Sequence, residues 1–373
     1  MSFRFIHSSD LHLGRRFANI PEAPDTNVRG RLMEARHGAI ARLAAAARDQ
    51  GAAHVLLAGD TFDTPTPSPG VLRQALAAMA EAAGLTWWLL PGNHDNLREA
   101  EPLWDALRRD APPNVRALTD AAPVDLAPGA TLLPVPVLWR SAGEDATQTM
   151  PQMPSPEGAL RIGLAHGGVT DFTESGANIP PDRDRSARLD YLALGDWHGR
   201  MAVGARVHYP GSPEQDRFRH NRRGVCLAVT LAGPGAPPGV EEIETGHFLW
   251  SDTSLPLLPG QDAAAALAAL LPATGQRDIL LRVTASGRAG LPAQAALHDA
   301  ATRAAPDFAH FDLRTDTLAT EYELADLDQI DRAGALRLAA ETLRAEAEAA
   351  PDGRNIAADA LARLYAYVRD NAS

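Results

Sequence analysis

Short apolar runs bounded by turn residues recur along the first part of the chain, and amphipathic stretches lie between them. The runs that predict buried strands cover residues 3–9, 54–58, 85–90, 160–165 and 191–194. Between the first two runs, Leu32, Leu43 and Ala47 recur at helical spacing, which predicts one long helix from about residue 28 to 50. Strands that alternate with helices predict an α/β fold in which sheets and helices form stacked layers.

The segments between these strands complete the pattern. Residues 71–83 and 97–109 are predicted as helices, and residues 112–136 as short antiparallel strands. Residues 141–158 are polar and rich in Pro, Met and Ser, which predicts a surface loop.

The stretch Gly-Pro-Gly-Ala-Pro-Pro-Gly at 233–239 is the clearest break in composition and predicts a boundary between domains. Beyond it, strand-like runs alternate with Ala- and Leu-rich helical runs, which predicts a small α+β domain. Two helices around a Pro-Asp-Gly turn follow. The predicted domains are residues 1–232, 240–325 and 326–373.

The composition is that of a globular protein with a substantial core, because 45% of the 373 residues are hydrophobic and 22% are charged. No apolar run reaches the roughly 18 residues that predict a membrane-spanning helix, and the first residues lack the features of a signal peptide. Cys226 is the single cysteine, so no disulfide is expected within the chain and a cytoplasmic location is favoured.

The net charge of −12 argues against a free-standing, non-specific binder of nucleic acid, which would carry a basic surface. A local basic groove stays compatible with this charge. The chain contains no lysine, so every basic side chain counted is an arginine, whose planar fork suits phosphate oxygens. We attribute the absence of lysine to codon usage rather than to function.

Side chains of metal-ligand type follow five of the predicted strands, at the point where each strand ends. They are Asp10 and His12, Asp60, Asn93 and His94, His166, and Asp196 and His198. Because ligands in layered α/β folds gather beyond the carboxyl ends of strands, we expect these side chains to lie close together. A mixture of carboxylates and imidazoles suits Mn²⁺, Fe²⁺ or Zn²⁺ better than Ca²⁺. The set exceeds what one ion needs and therefore predicts two, the arrangement used for in-line displacement at phosphorus.

The order of these motifs resembles that of the calcineurin-like metallophosphoesterases. The motifs are Asp10-x-His12, Gly59-Asp60, Gly92-Asn93-His94-Asp95, His166 and Gly195-Asp196-x-His198. Residues 7–14 and the later Tyr-Pro-Gly-Ser-Pro at 209–213 look like the SbcD-type DNA repair exonuclease branch. The resemblance covers about residues 1–231 and implies a four-layer αββα sandwich with a small α+β capping domain and C-terminal helices.

Carried over by motif, the resemblance implies a role for each of these residues. Asp10, His12 and His198 would hold one metal ion, Asn93, His166 and Asp196 a second, and Asp60 would bridge the two. His94 would stay off the metals and act on the scissile phosphate or its leaving group, with Asp95 orienting its ring. The ions would be Mn²⁺ in the first place, with Mg²⁺, Fe²⁺ and Zn²⁺ as alternatives.

One position departs from the family pattern, which usually has Gly-His-x-His where this chain has Gly195-Asp196-Trp197-His198. A carboxylate is still a competent ligand, and it makes the second site harder and more negative, which favours Mn²⁺ or Mg²⁺. A weakened second site is the alternative.

The resemblance implies a nuclease subunit that cleaves DNA phosphodiester bonds with water activated by two metal ions. Two alternatives stay open: a phosphodiesterase or phosphatase on small molecules or proteins, and a weakly active scaffold of a DNA-processing complex. The expected partners are DNA and a coiled-coil ABC-type ATPase subunit. A homodimer stays open as well, and no membrane partner is expected.

The two C-terminal helices carry apolar residues at roughly helical spacing. These are Leu336, Leu338, Leu343, Leu361, Leu364 and Tyr367. In the resembled family such a segment binds the ATPase, so we expect this hairpin to dock on that partner. The alternative is that the leucines cover the sheet of the capping domain.

Overall fold

The computed structural model describes residues 2–22, 27–140, 145–169, 179–321, 330–331, 334–349 and 356–371. The chain divides into two compact units. The first unit comprises residues 1–216 and 222–249, and the second comprises residues 217–221 and 250–373. No helix among the described residues is both long and apolar enough to cross a membrane.

The first unit is built from two sheets and the helices that connect their strands. Its strands are β1 (Phe3–Ser8), β2 (His54–Leu57), β3 (Thr86–Leu89), β4 (Val115–Ala117), β5 (Val124–Ala127), β6 (Ala130–Val135), β7 (Leu160–His166), β8 (Tyr191–Gly195), β9 (Met201–Ala202), β10 (Val207–Tyr209), β11 (Val225–Leu231) and β12 (Gly239–Glu244). Its helices are α1 (Val28–Asp49), α2 (Pro69–Ala80), α3 (Glu101–Asp110), α4 (Arg183–Ser186) and the 3₁₀ helix Ala146–Gln152.

Each sheet has six strands, in the order β12-β11-β1-β2-β3-β4 in one and β5-β6-β7-β8-β10-β9 in the other. Strands β1 to β4 of the first sheet run parallel, and β11 and β12 continue it antiparallel. In the second sheet β6, β7, β8 and β10 are parallel, with β5 and β9 antiparallel at its edges. Parallel strands present their carboxyl ends at one edge, which gathers the loops that follow them.

The side chains of β2 and the residue after it show how the layers stack. Val55 and Leu57 pack with apolar residues of α1, α2 and α3 on one face. Leu56 and Ala58 pack with residues of the second sheet on the other face, because successive strand residues point to opposite sides. Met150 of the 3₁₀ helix and Ala187 after α4 cover the outer face of the second sheet. The predicted α/β sandwich is confirmed, and its outermost layer on this side is thin.

Two local expectations differ from the structure. Strand β4 pairs in parallel with β3, and β6 pairs in parallel with β7, so only β5 and β6 form the antiparallel pair expected within residues 112–136. Apolar patterning identifies a strand, but packing at long range selects its neighbour. The predicted loop at 141–158 contains the 3₁₀ helix, which begins after Asp145, whose side chain accepts a hydrogen bond from the Thr147 amide at 2.8 Å.

The Pro- and Gly-rich stretch at 233–239 leads from β11 to β12. These two strands pair with each other along residues 225–230 and 239–244, so they belong to one sheet. The two compact units consequently divide after residue 249 rather than at this stretch.

The second unit has a three-stranded sheet with helices. Its elements are β13 (Leu249–Leu257), α5 (Ala263–Leu270), the 3₁₀ helix Gln276–Asp278, β14 (Ile279–Gly290), α6 (Leu291–Ala304), the 3₁₀ helix Ala305–Asp307, β15 (His310–Glu321), α7 (Ala335–Ala349) and α8 (Ile356–Asn371). The strand order is β13-β14-β15. Strands β14 and β15 are parallel, and α6 makes the crossover that a parallel pair requires.

The C-terminal helices α7 and α8 contribute to the core of the second unit. Leu361 and Tyr365 are buried in a cluster with Leu291 of α6, and Leu343 packs against the same cluster. Other apolar residues of the hairpin face solvent, since Leu338 is 67% exposed. The hairpin therefore divides its apolar residues between the interior of this unit and its surface.

Candidate metal centre

The loops after β1, β2, β3, β7 and β8 bring the predicted ligands together. Three groups of ligand atoms lie within 4.8 Å of one another: Asp10, His12 and His198; His12, Asp60 and His94; Asp10, Asp60 and His166. Asn93 and Asp196 adjoin the third group, with Asn93 Oδ1 3.2 Å and Asp196 Oδ1 3.8 Å from His166 Nε2. Every residue predicted as a metal ligand is thus part of one cluster.

In the first group two imidazoles face each other beside a carboxylate. The Nε2 atoms of His12 and His198 are 3.1 Å apart, and Asp10 Oδ1 lies 4.0 Å and 3.9 Å from them. Asp10 Oδ1 is buried and accepts no hydrogen bond from any residue that the structure describes. A buried carboxylate oxygen without a donor is unfavourable. A divalent cation coordinated by these three atoms satisfies it, so the residues fit a metal ion.

The second ring nitrogen of each histidine lies near a carboxylate outside the group. His198 Nδ1 is 3.2 Å from Asp216 Oδ1, and His12 Nδ1 is 3.3 Å from Asp63 Oδ1. An ionised carboxylate only accepts hydrogen bonds, so His198 Nδ1 carries the proton and His198 Nε2 keeps its lone pair. This lone pair faces His12 Nε2 at 3.1 Å, where both imidazoles could bind one cation.

The second group is arranged around His166. Its Nδ1 donates a hydrogen bond to the carbonyl oxygen of Ala58 at 2.8 Å, which leaves Nε2 as the ligand atom. This Nε2 faces the Asn93 amide oxygen and the carboxylates of Asp60 and Asp196. One imidazole and three oxygen donors form a set that a hard or borderline divalent cation accepts.

Asp60 connects the two groups. Its Oδ2 lies 3.6 Å from His12 Nε2 and 3.6 Å from His166 Nε2, so one oxygen is shared equally between them. Its Oδ1 accepts a hydrogen bond from the backbone N–H of His94 at 2.9 Å, which holds the carboxylate in place. In this position the carboxylate could contact cations held by both groups.

The structure corrects the expectation that Asp95 orients the His94 ring. Asp95 accepts hydrogen bonds from the backbone N–H groups of Gly92 at 2.7 Å and Phe62 at 3.0 Å, so it fastens two loops together. The Nδ1 of His94 instead lies 2.9 Å from the carbonyl oxygen of Asp63, to which it donates. The carbonyl oxygen of Asp63, and not the carboxylate of Asp95, therefore orients the His94 ring.

Backbone strain is concentrated at the ligands. Asp10, His12, Asp60 and Asp196 have φ values of 55°, 43°, 53° and 105°, in the region that non-glycine residues seldom adopt. Each such residue costs about 1–3 kcal/mol and persists where the surroundings enforce it. Residues in this conformation cluster at functional sites, and four of the predicted ligands share it here.

The family model of the calcineurin-like phosphoesterases matches residues 3–225, which is more than half of the chain. The chain belongs to the calcineurin-like phosphoesterase family. The match extends from the beginning of β1 to the beginning of β11 and includes all five ligand-bearing loops. Members of this family are metal-dependent phosphoesterases, so the paired groups of ligands are those of a metal-binding hydrolase.

Two further comparisons concern individual proteins. The crystal structure of TT1561 of Thermus thermophilus is similar with a TM-score of 0.38 and 14% sequence identity, over 57% of this chain and 90% of that chain. No curated protein matches the chain.

The pKa values of the phosphoesterase centre show its excess negative charge. Burial disfavours the charged form of His166, but Asp60, Asp10 and Asp196 outweigh burial and raise the pKa of His166 to about 9. Burial raises the pKa of Asp60 well above its ordinary value, and although His166 opposes this, nearby carboxylates add to it. Burial lowers the pKa of His12 to about 3, which keeps its imidazole in the neutral form that binds metal.

Two glycines permit the close approach of the phosphoesterase loops. Gly59 has a φ of +90°, and a Cβ atom there would overlap the ring of His166. A Cβ atom on Gly92 would collide with the carboxylate of Asp60. A side chain at either position would displace a ligand, since only glycine leaves this space open.

Sequence reasoning missed three residues that contact the ligands. Asp63 and Asp216 lie beside the ring nitrogens of His12 and His198, and Arg36 Nη2 is 3.3 Å from Asp216 Oδ2. Asp63 follows Asp60 by three residues, and Asp216 lies three residues after the family-like stretch 209–213. Their short distance from these motifs along the chain could have identified both residues. Arg36 lies within α1 and carries no such signal.

Proposed function

We propose that this phosphoesterase cleaves DNA, as the exonuclease or endonuclease subunit of a DNA repair complex. The observation that carries the phosphodiesterase chemistry is the Oδ2 of Asp60, which lies 3.6 Å from the Nε2 of both His12 and His166. One carboxylate oxygen shared by two donor groups suits a pair of cations about 3.5–4 Å apart, the arrangement used for in-line displacement at phosphorus.

The residues divide into two sets for these cations. Asp10, His12 and His198 would hold the first ion, Asn93, His166 and Asp196 would hold the second, and Asp60 would contact both. When bound, the ions neutralise charge on the phosphodiester and activate water for its attack on phosphorus. The protein contributes the fixed positions of the donors, because the surrounding structure enforces the strained conformation of their loops.

His94 supplies a proton beside the cations. Its Nδ1 donates to the carbonyl oxygen of Asp63, so in the imidazolium form Nε2 carries a second proton, which would pass to the leaving oxygen of the phosphodiester and leave His94 neutral. His94 also lies in a ligand group with His12 and Asp60, so the metal content of a His94 variant distinguishes a proton donor from a ligand.

We propose Mn²⁺ as the metal. Asp196, at the position where the family usually has histidine, makes the second set rich in oxygen, which favours Mn²⁺ or Mg²⁺ over softer ions. The Asp196 backbone N–H donates to Asp10 Oδ2 at 3.3 Å, so its loop is tied to the first set. This contact supports a retained second site rather than a weakened one.

The resemblance of residues 7–14 and 209–213 to the SbcD-type branch supports DNA as the substrate. Within the second stretch, the Tyr209 hydroxyl donates to the Gly167 carbonyl oxygen at 2.8 Å and accepts from the Val169 amide at 3.0 Å. Tyr209 therefore anchors the loop that begins with the ligand His166. A motif of this branch is thereby connected to the metal centre.

The test compares four substrates with protein that has been stripped of metal and reloaded with Mn²⁺. They are linear duplex DNA, plasmid, bis-p-nitrophenyl phosphate and p-nitrophenyl phosphate. The proposal expects Mn²⁺-dependent cleavage of DNA, and the plasmid distinguishes endonuclease from exonuclease action. Hydrolysis of the small esters alone would assign a small-molecule phosphodiesterase or phosphatase. Absence of all activity with two bound ions would assign a scaffold.

We further propose a coiled-coil ABC-type ATPase as the partner of the α7–α8 hairpin, and the cytoplasm as the location. Leu336 and Leu338 on α7 are 45% and 67% exposed, and Ile356 on α8 is 76% exposed, which supports docking by apolar contact. The net charge of −12 supports a partner that supplies much of the grip on DNA.

A further inference from the structure

Two buried charged residues behind the metal centre join the loops that carry its first set of ligands. Asp216 is 1% exposed, and its Oδ1 lies 3.2 Å from His198 Nδ1. Its Oδ2 lies 3.3 Å from both Arg15 Nη1 and Arg36 Nη2. Arg36, also 1% exposed, donates from Nη1 to the carbonyl oxygen of Leu11 at 2.5 Å.

We propose that Asp216 is a positioning residue for the first cation. It holds the ring of His198 with Nε2 toward Asp10 and His12, and through Arg36 it ties the loop after β8 to the loop after β1. The proposal rests on metal binding at the proposed centre and not on the nature of the substrate. A failure to cleave DNA would therefore leave it intact.

The direction of the proton on His198 follows from what surrounds Asp216. The guanidinium groups of Arg15 and Arg36 face one oxygen of the carboxylate as ion pairs at 3.3 Å, and the other oxygen accepts from the imidazole. The His198 proton is then on Nδ1, and the lone pair of Nε2 faces His12 Nε2 at 3.1 Å. A carboxylate that fixes the tautomer and orientation of a ligating histidine typically contributes about 10- to 100-fold to metal affinity.

An Asp216→Asn substitution reverses this arrangement without changing the shape of the side chain. The amide oxygen turns toward the two guanidinium groups, because they offer only N–H donors. The amide NH₂ then points at His198 Nδ1 and selects the tautomer with the proton on Nε2, which has no lone pair for a metal. The same substitution beside a catalytic histidine in serine proteases stabilises the wrong tautomer while the geometry persists.

The second cation should not depend on Asp216. His166 is oriented by a hydrogen bond from its Nδ1 to the Ala58 carbonyl oxygen, and its neighbours are Asn93, Asp60 and Asp196. None of the contacts that the structure describes for these four residues involves Asp216. The effect of the substitution is therefore expected at one ion of the pair.

The experiment titrates Mn²⁺ into metal-stripped protein by calorimetry, for the wild type, Asp216→Asn and the control Asp190→Asn. Asp190 is a buried carboxylate outside the centre that accepts from the amides of Arg161 at 2.8 Å and Gly235 at 2.7 Å. We expect Asp216→Asn to lower the affinity for one of the two ions by about 10- to 100-fold and to leave the affinity for the other unchanged. Asp190→Asn should keep both affinities. Two ions bound to Asp216→Asn with wild-type affinity would overturn the proposal, as would an equal loss in the control.

A second measurement uses the wild-type protein and does not depend on the folding of a variant. Nitrogen-15 NMR of histidine-labelled, metal-free protein reports which ring nitrogen of His198 carries the proton, once the signal is assigned with a His198→Gln variant. The proposal expects the proton on Nδ1. A proton on Nε2 would refute the positioning role, whatever the variant does.

Discussion

An Asp60→Asn substitution removes one negative charge from the oxygen that both sets of ligands share. Asp60 is 2% exposed, and the amide can keep the hydrogen bond from the His94 backbone, so the loop should retain its conformation. Opposite unit charges about 4 Å apart, the scale of the donor spacing here, attract by about 4 kcal/mol at an effective dielectric constant of 20, and a divalent cation carries twice that charge. Because about 1.4 kcal/mol corresponds to a factor of ten, the affinity for a cation should fall by at least about 10³-fold.

The assay is hydrolysis of bis-p-nitrophenyl phosphate over a range of Mn²⁺ concentrations, with bound metal measured on the same samples. We expect Asp60→Asn to bind Mn²⁺ weakly and to lose nearly all turnover, whereas Asp190→Asn should resemble the wild type in both. If Asp60→Asn keeps more than about a tenth of the wild-type rate with two ions bound, the bridging role of Asp60 is refuted.

Three further predictions concern other parts of the molecule. His94→Ala should keep both metal ions and lose about 10²- to 10⁴-fold in turnover, and a parallel fall in metal content would show that His94 is a ligand. The carboxylates raise the pKa of His166 from 6.5 to about 9 despite its burial. The protonated ring therefore stabilises the folded protein fully below pH 6.5, and this stabilisation is lost as the pH rises through about 9. The melting temperature of the metal-free wild type should fall over that interval, and that of His166→Asn should not. In the α7–α8 hairpin, Leu361→Ala should destabilise the second unit by about 2–5 kcal/mol, because Leu361 is buried. Leu338→Glu, at an exposed position, should leave the melting temperature unchanged and abolish capture of the ATPase. If this variant still captures the ATPase, Leu338 is not part of the docking surface.

The course of the hairpin shows how far apolar spacing predicts structure. The pattern of leucines identified α7 and α8, because a periodic apolar face is a local property of the chain. The pattern did not show which leucines pack against another helix. Leu361 is buried against α6, whereas Leu338 faces solvent. This difference in burial follows from the packing of α8 on α6, which the spacing of leucines does not encode.

The sequence by itself determined the layered α/β class and the kinds of ligand at the strand ends. Both depend on local features: continuous apolar runs predict buried strands, and Asp, Asn and His directly after them predict donors at the same edge of a sheet. The sheet order was not local, so β4 could not be recognised from its own residues as a parallel neighbour of β3.

Only the tertiary structure decided how the ligands are held. Asp95 binds the amides of Gly92 and Phe62, although its position next to His94 had suggested that it orients that ring. Asp216 and Arg36 reach the centre from segments that are 180 residues apart in the chain. Orientation of an imidazole depends on which acceptor lies within about 3 Å of its second nitrogen. Such a distance is set by the packing of two sheets and a helix, and no spacing along the chain encodes it.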